Sequence, residues 1–191
     1  MQSEASTIIN VLNTINSGVA NINAYKNIGI TTVNLNNVKV IAKAVKEARD
    51  VKEVNLTKAE ISKIVNEVLE KIEKSFGAVN AGTATLADYE LIGITGVTEI
   101  NLVDVNEVLK GKGHKVVSKM QSEASIIISS LNTINSGVAN INYYKNIGIT
   151  TVNLDNIKVI AKAVKEARDA KKVNLTKAEI SNIVNEVLNK K

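Results

Sequence analysis

The sequence has no cysteine, no proline and no tryptophan, and Phe76 is its only phenylalanine. Without cysteine, the chain has no disulfide, no thiolate metal ligand and no cysteine nucleophile. Without proline, the turns have to be formed by glycine, asparagine and threonine. Because aromatic residues make up only 3% of the chain, the core must be built from isoleucine, valine, leucine and alanine. Such a core suits helices packed on helices.

Long hydrophobic runs are also absent. No stretch approaches the roughly 20 apolar residues that span a bilayer, and residues 1–20 lack the basic start and apolar block of a signal peptide. We therefore expect a soluble chain without membrane insertion, and a fragment of a longer protein.

The balance of charge is weakly basic. The formal net charge is +5 at pH 7, and Arg49 and Arg168 are the only arginines. Phosphate recognition favours arginine, and base stacking requires aromatic side chains. We therefore interpret the lysines as solvated helix faces and expect no nucleic-acid partner.

Catalytic residues are not evident in the sequence. The only histidine, His114, stands in the segment "KGKGHKVV", and without cysteine it cannot assemble a plausible zinc site. We expect it to be solvated at a helix start. Acidic pairs such as Glu47/Asp50 and Asp104/Glu107 alternate with lysines in the manner of surface ion pairs. The sequence therefore predicts a protein that is not an enzyme, with no catalytic residue, no metal site and no cofactor.

Two long segments of the sequence are copies of each other. Residues 1–71 match residues 120–190 without a gap at an offset of 119 (120 minus 1), with about ten differences. A degenerate copy lies between them at an offset of 64 (Tyr89 minus Tyr25), and the next step, from Tyr89 to Tyr144, is 55. The sequence thus contains three tandem units of roughly sixty residues.

Each unit is predicted to contain three helices. The segment "NLTKAEISKIVNEVLEKIEKSFG" has apolar residues at steps of three and four, which is typical of an amphipathic helix. Its apolar stripe consists of Ile61, Ile64, Val65, Val68, Leu69, Ile72 and Phe76. Thr57 with Glu60 forms a capping box that opens this helix, and Thr176 with Glu179 repeats it. The glycines expected to cap the ends of the first helices are Gly18, Gly82 and Gly137.

A short second helix is predicted over about 20–28, and a third over 37–50, with a shorter counterpart of the third helix at 99–110 in the middle unit. Between the second and third helices, Gly29 permits a positive φ, and the phrase "IGITTVN" turns the chain at the end of the bundle. The polar residues expected to cap the third helix are Thr31, Thr32 and Asn34.

These observations predict an all-α fold of about ten helices. It would consist of three tandem three-helix-bundle repeats, at 1–55, 56–112 (the degenerate unit) and 113–174, followed by a terminal helix at 175–191. Units of this size have few residues for a core of their own. We therefore expect neighbouring units to share their long helices, and the chain to be an elongated monomer.

Two segments carry a resemblance to known proteins. Residues 143–160, "YYKNIGITTVNLDNIKVI", resemble the second and third helices of the GA module, the three-helix albumin-binding unit of bacterial cell-wall proteins. Residues 89–109, "YELIGITGVTEINLVDVNEVL", resemble tandem helical repeats of very large bacterial surface adhesins. The resemblance implies an extracellular location on a bacterial cell, and a binding surface on the second helix and the turn into the third. That surface would consist of Lys26, Asn27, Thr31 and Thr32 in the first copy and of Tyr143, Lys145, Asn146, Thr150 and Thr151 in the last.

Two functions remain open from the sequence. In the first, the repeats bind a host serum or extracellular-matrix protein, albumin among them, through epitopes on helix faces. In the second, they are a spacer or stalk that holds another domain away from the cell. Tyr143 replaces Ala24 of the first copy, and an added aromatic side chain either anchors an interface or covers a neighbouring apolar patch.

Overall fold

A computed structural model describes residues 2–190 and is all-helical in that range. Its ten helices are α1 (Gln2–Asn16), α2 (Ile22–Asn27), α3 (Val38–Lys52), α4 (Lys58–Ala81), α5 (Leu86–Leu91), α6 (Leu102–Leu109), α7 (Val117–Asn135), α8 (Ile141–Asn146), α9 (Ile157–Lys171) and α10 (Lys177–Asn189). No strand occurs in these residues. The all-α prediction and the expected number of helices are confirmed.

The helix bounds recur at the offsets seen in the sequence. Helices α2 and α8 begin and end 119 residues apart (141 minus 22), as do α3 and α9, and α5 begins and ends 64 residues after α2 (86 minus 22). Both α3 and α9 stop before a residue in the left-handed conformation, Glu53 and Lys172, each with φ of 62°. The repeated phrases therefore adopt the same local structure wherever they occur.

The helix starts and stops follow local capping. The predicted capping box of Thr57 and Glu60 is present, because Oε2 of Glu60 accepts a hydrogen bond of 2.8 Å from the Thr57 backbone N–H. The second helix begins later than predicted, since the side chain of Asn21 caps it and accepts from the backbone N–H groups of Asn23 and Ala24. The three capping glycines, Gly18, Gly82 and Gly137, have φ of 79°, 74° and 84°, as predicted.

Contacts divide the chain into two compact units, Met1–Phe76 and Gly77–Lys191. The core of the first unit is formed by α1, α2, α3 and the N-terminal part of α4, and Tyr25, Ile41 and Ile61 are completely buried in it. Ile64 and Ile72 of the predicted stripe are partly buried at its edge. The repeat boundaries and the elongated arrangement expected from the sequence stay predictions.

The second unit has a corresponding core formed by α7, α8, α9 and α10. Tyr144, Ile160 and Ile180 occupy the positions of Tyr25, Ile41 and Ile61 and are equally buried. The part of the middle copy from Gly77 onward belongs to the same unit and also buries its apolar residues. They include Val79, Tyr89, Ile92, Ile94, Val105 and Leu109.

An asparagine near the end of each first helix, buried in the two well-preserved copies and half-buried in the middle copy, holds the segment that leads into the next long helix. The side chain of Asn16 accepts from the Leu56 N–H at 2.7 Å and donates to the Leu56 carbonyl at 3.1 Å. This pairing satisfies both polar groups of the amide away from water. The same two hydrogen bonds join Asn80 to His114 and Asn135 to Leu175.

Within residues 2–190, no helix combines the length and the apolar content that a membrane span requires.

Candidate protein-binding surface

The residues predicted to bind a partner lie on two equivalent surfaces. We call the exposed side chains of α2 and the α2–α3 turn the first surface: Lys26, Asn27, Thr31, Thr32 and Leu35. The second surface, on α8 and the α8–α9 turn, consists of Lys145, Asn146, Thr150, Thr151 and Leu154. Leu35 and Leu154 come from the structure, whereas the other members are predicted from the sequence.

A buried asparagine fixes the shape of the turn in the first surface. Oδ1 of Asn37 accepts from the Asn34 N–H at 2.7 Å, and its Nδ2 donates to the Thr32 carbonyl at 3.1 Å. Asn156 repeats both hydrogen bonds in the second surface at 2.8 and 3.1 Å. The two turns are therefore held in one conformation before any partner arrives.

This arrangement corrects one expectation about the turn. Thr31, Thr32 and Asn34 were expected to cap the third helix, but no side chain caps its N-terminus, which follows Asn37. The Thr31 and Thr32 side chains are exposed instead. The reason is that Asn37, one residue before the helix, already organises the turn from inside, so the threonines are not needed there.

A leucine projects from each turn into solvent. Leu35 is 83% exposed and Leu154 is 82% exposed, although neighbouring Val33 and Val152 are buried. Sequence reasoning missed both leucines because they belong to no helical stripe. The available signal was an apolar residue between asparagines, "NLNN" and "NLDN", in a turn that is otherwise polar. A fixed, exposed leucine can enter an apolar pocket of a partner with little loss of backbone entropy.

Two predicted residues of the last copy make contacts within the protein. Tyr143 is partly buried and packs against the core of the second unit. Asn146 remains exposed, but its Nδ2 donates a hydrogen bond of 3.0 Å to Oγ of Ser130. Tyr143 therefore presents only part of its ring to solvent, and we do not include it in the second surface.

The two surfaces differ in the cation beside them. Nζ of Lys58 lies 3.6 Å from the position that a Cβ on Gly29 would occupy, and Lys58 has no ion pair within the described residues. Lys177 stands in the same place near Gly148, but its Nζ pairs with Oε2 of Glu107 at 2.8 Å. The first surface therefore presents Lys26 and an unpaired Lys58, and it is the more positive of the two.

The middle copy lacks this surface. Gln121 of α7 accepts from the Thr95 N–H at 2.8 Å and donates to the Thr95 carbonyl at 3.3 Å, so the equivalent of Thr31 is already occupied. Gly96 replaces the second threonine, and a Cβ there would lie 3.3 Å from Cδ1 of Ile128. Glu99 stands at the position of the exposed leucine. Residues 2–190 thus carry two open surfaces of this kind rather than three.

His114 is not solvated, contrary to the expectation from sequence. Its side chain is only 11% exposed, with Nε2 3.2 Å from Oε1 of Glu123. Although burial acts to raise the pKa of Glu123, the hydrogen bond from Lys112 and the neighbouring His114 ring hold that pKa below its ordinary value. His114 occupies the place that Leu56 and Leu175 fill in the other copies, since Asn80 holds its backbone in the same way. It is therefore part of the packing of the middle copy.

Asp104 also departs from the expected surface ion pair. It is buried, and its Oδ2 accepts a hydrogen bond of 3.3 Å from the backbone N–H of Lys177, the first residue of α10. Burial raises the pKa of this carboxyl. A carboxylate at a helix N-terminus is stabilising, and this contact links α6 to α10 within the second unit.

Outside the two surfaces, the described residues offer few groups for metal binding or acid–base catalysis. Among residues 2–190, no group of three histidine, aspartate or glutamate side chains comes together in a way that could hold a metal ion. A cavity of about 210 Å³ in the second unit is lined by apolar and amide side chains, Ile128, Leu131, Asn132 and Asn174 among them. No ionisable side chain of the described residues lines it, so it offers neither a general acid nor a general base.

Comparison with known proteins gives no relative of this chain. No family model matches it, and no curated protein and no solved structure is significantly similar to it.

Proposed function

We propose that this chain is a non-enzymatic, protein-binding repeat region that presents the same surface twice. The observation that carries the proposal is the pair of exposed leucines, Leu35 and Leu154, on turns that buried asparagines hold in one conformation. Exposed single leucines are ordinary on protein surfaces. The leucine of this turn, however, is exposed in both well-preserved copies, on a rigid turn that follows a lysine-bearing helix. This recurrence supports a role in recognition.

The surface chemistry defines the partner that we propose. A leucine side chain requires an apolar pocket. Lys26 and Lys58 beside the first surface and Lys145 on the second favour an acidic rim on that pocket. The resemblance of residues 143–160 to the albumin-binding module supports a host serum or extracellular-matrix protein as the partner, albumin among them. In this proposal the chain belongs to a bacterial surface protein, lies outside the cell and acts as a monomer.

We also propose that the helices form tandem three-helix bundles that share their long helices. Residues of α4 join the core of α1–α3, and residues of α10 join the core of α7–α9. The link from Asn16 to Leu56, repeated at Asn80 and Asn135, supports one construction principle for all three copies. Two surfaces in one chain strengthen the attachment to a partner with repeated or neighbouring sites, because the second contact becomes intramolecular.

A retention experiment tests the proposed function. The chain is immobilised and exposed to plasma proteins and to extracellular-matrix proteins. A Lys26→Glu/Lys145→Glu double variant, immobilised in the same way, is the control. We expect saturable retention of one partner by the parent chain and its loss in the variant, because both surfaces then repel an acidic rim. If neither chain retains a protein, the spacer function replaces binding as the better account.

A further inference from the structure

Helices α1 and α7 begin with nearly the same sequence. Residues 2–9 read QSEASTII and residues 121–128 read QSEASIII, so they differ only at Thr7 and Ile126. Intrinsic helix propensity and amphipathic pattern are therefore almost identical over these eight positions. Any difference in their burial must come from what packs against each helix.

Their burial is very different. Ile8 and Ile9 of α1 are 50% and 57% exposed, whereas Ile127, the counterpart of Ile8, is 3% exposed. Ala5 is exposed, but Ala124 is completely buried. These residues lie at helical spacings of three and four, so they form one apolar face. That face is open in α1 and covered in α7.

The element that covers α7 is the α5–α6 segment of the middle copy. Gln121 pairs with the backbone of Thr95, and Gly96 permits close approach to Ile128. Val108 of α6 packs against the cluster that contains Ile127. The remaining contact is polar and joins Glu123 to Lys112 and His114.

The α1 face carries the same groups that receive these contacts on α7. Ala5, Ile8 and Ile9 repeat the apolar positions, and Glu4 repeats Glu123, which pairs with Lys112 and lies 3.2 Å from Nε2 of His114. Glu4 itself is exposed and has no ion pair in the described part of the chain. The apolar face is thus complementary to an α5–α6 element, and Glu4 is complementary to the lysine in the segment that follows α6.

We propose that the exposed face of α1, formed by Glu4, Ala5, Ile8 and Ile9, is a docking surface for the α5–α6 element of a further repeat joined in tandem ahead of it. A second molecule of this chain is the poorer occupant, because its own α7 already covers its α5–α6 element. A tandem repeat has an open element and is held at high effective concentration. This docking surface is separate from the proposed protein-binding surfaces.

The test places an α5–α6 element ahead of α1, in the way that the chain already places one ahead of α7. A copy of residues 77–119 is placed directly before Met1, which recreates the junction between Lys119 and Met120. We expect hydrogen exchange of the backbone amides of residues 4–12 to slow by about tenfold or more, to the level of the matching residues in α7, because burial stabilises the helix against local opening. Unchanged exchange in a folded fusion would overturn the proposal.

A pair of substitutions keeps the proposal testable if the fusion does not fold. In the chain as it stands, Ile128→Glu should lower the thermal midpoint by several degrees, whereas Ile9→Glu should change it by about 1 °C or less. An equal loss for Ile9→Glu would mean that the α1 face is already covered and would overturn the proposal. Concentration-dependent dimerisation that Ile9→Glu abolishes would also overturn it, since the occupant would then be a second molecule.

Discussion

The Tyr89 hydroxyl donates a hydrogen bond of 2.7 Å to Oδ1 of Asn106. Tyr25 and Tyr144 occupy the same position in the other two copies, but alanine stands where the middle copy has Asn106. Their buried hydroxyls have no hydrogen-bond partner among the residues that the structure describes. Burial raises the pKa of all three tyrosines to about 12. The tyrosine hydroxyl at this position is therefore hydrogen-bonded in the degenerate copy and lacks a hydrogen bond in the two well-preserved copies.

This difference predicts opposite effects of the same substitution. Tyr89→Phe should destabilise the protein by about 1 kcal/mol, because it removes a hydrogen bond and leaves Asn106 with an unpaired acceptor. Tyr25→Phe should be neutral or stabilise it by up to about 1 kcal/mol, since it removes only an unsatisfied buried hydroxyl. Denaturant unfolding followed by circular dichroism measures both. Equal losses in the two variants would mean that the Tyr25 hydroxyl has a partner.

The asparagine inside the first turn offers a second prediction. Asn37→Ala removes the hydrogen bonds to the Asn34 N–H and the Thr32 carbonyl, and it should cost about 1–3 kcal/mol of stability. The control is Asn36→Ala in the same turn, where the side chain is exposed, and the expected change is within about 0.5 kcal/mol. If the two variants have the same stability, the buried asparagine does not determine the turn.

The start of α4 should contribute a pH-dependent part of the stability. Hydrogen bonds from Lys52, and then from the Thr57 backbone and hydroxyl, lower the pKa of Glu60 from 4.5 to about 2. A carboxyl with a lowered pKa stabilises the folded state above its unfolded value, near 4.5, and this contribution is lost as the pH falls through about 2.

The matched variant for this effect is Glu60→Gln. Its thermal midpoint should lie below that of the parent chain at pH 7, and the two midpoints should converge between about pH 4.5 and pH 2. A constant difference across that range would show that the effect of the substitution is not linked to the ionisation of Glu60.

Alanine substitutions at two glycines should change the stability of the protein in opposite directions. Gly18 has a φ of +79°, and a Cβ there would lie 2.8 Å from Cβ of Lys46, so Gly18→Ala should cost at least about 1–2 kcal/mol. Gly77 lies within α4 with nothing within 4 Å of its Cβ position, so Gly77→Ala should stabilise the protein by about 0.5–1 kcal/mol. Thermal unfolding of both variants measures the difference, and stabilisation by Gly18→Ala would contradict the capping role.

The sequence predicts much of the local structure of this fold. Apolar periodicity locates the long helices, and the capping box at Thr57 marks the start of α4 within one residue. These features depend on neighbours along the chain, which is why the sequence reveals them. The end of α6 at Leu109, close to the predicted residue 110, reflects the same local control by the glycines that follow.

Contacts between distant residues are not predicted in the same way. The burial of His114 depends on its two hydrogen bonds with Asn80, 34 residues away. The burial of Asp104 depends on the start of α10, 73 residues away. Leu35, the exposed leucine of the first surface, was missed for a similar reason. Its exposure follows from the way in which Asn37 holds the turn. Within one sequence, a leucine between asparagines does not show whether it is buried.

The measurement that tests the central claim most directly is the affinity of the retained serum or matrix protein for four chains. They are the parent, Leu35→Asp, Leu35→Asp/Leu154→Asp, and Val51→Asp, in which an equally exposed valine, 87% exposed and outside both surfaces, receives the same charge. We predict that each leucine substitution weakens its own surface by about 30-fold, corresponding to about 2 kcal/mol for an anchor residue. The double variant should then lose binding while Val51→Asp keeps it. Equal affinity of the double variant and the parent chain would contradict the account.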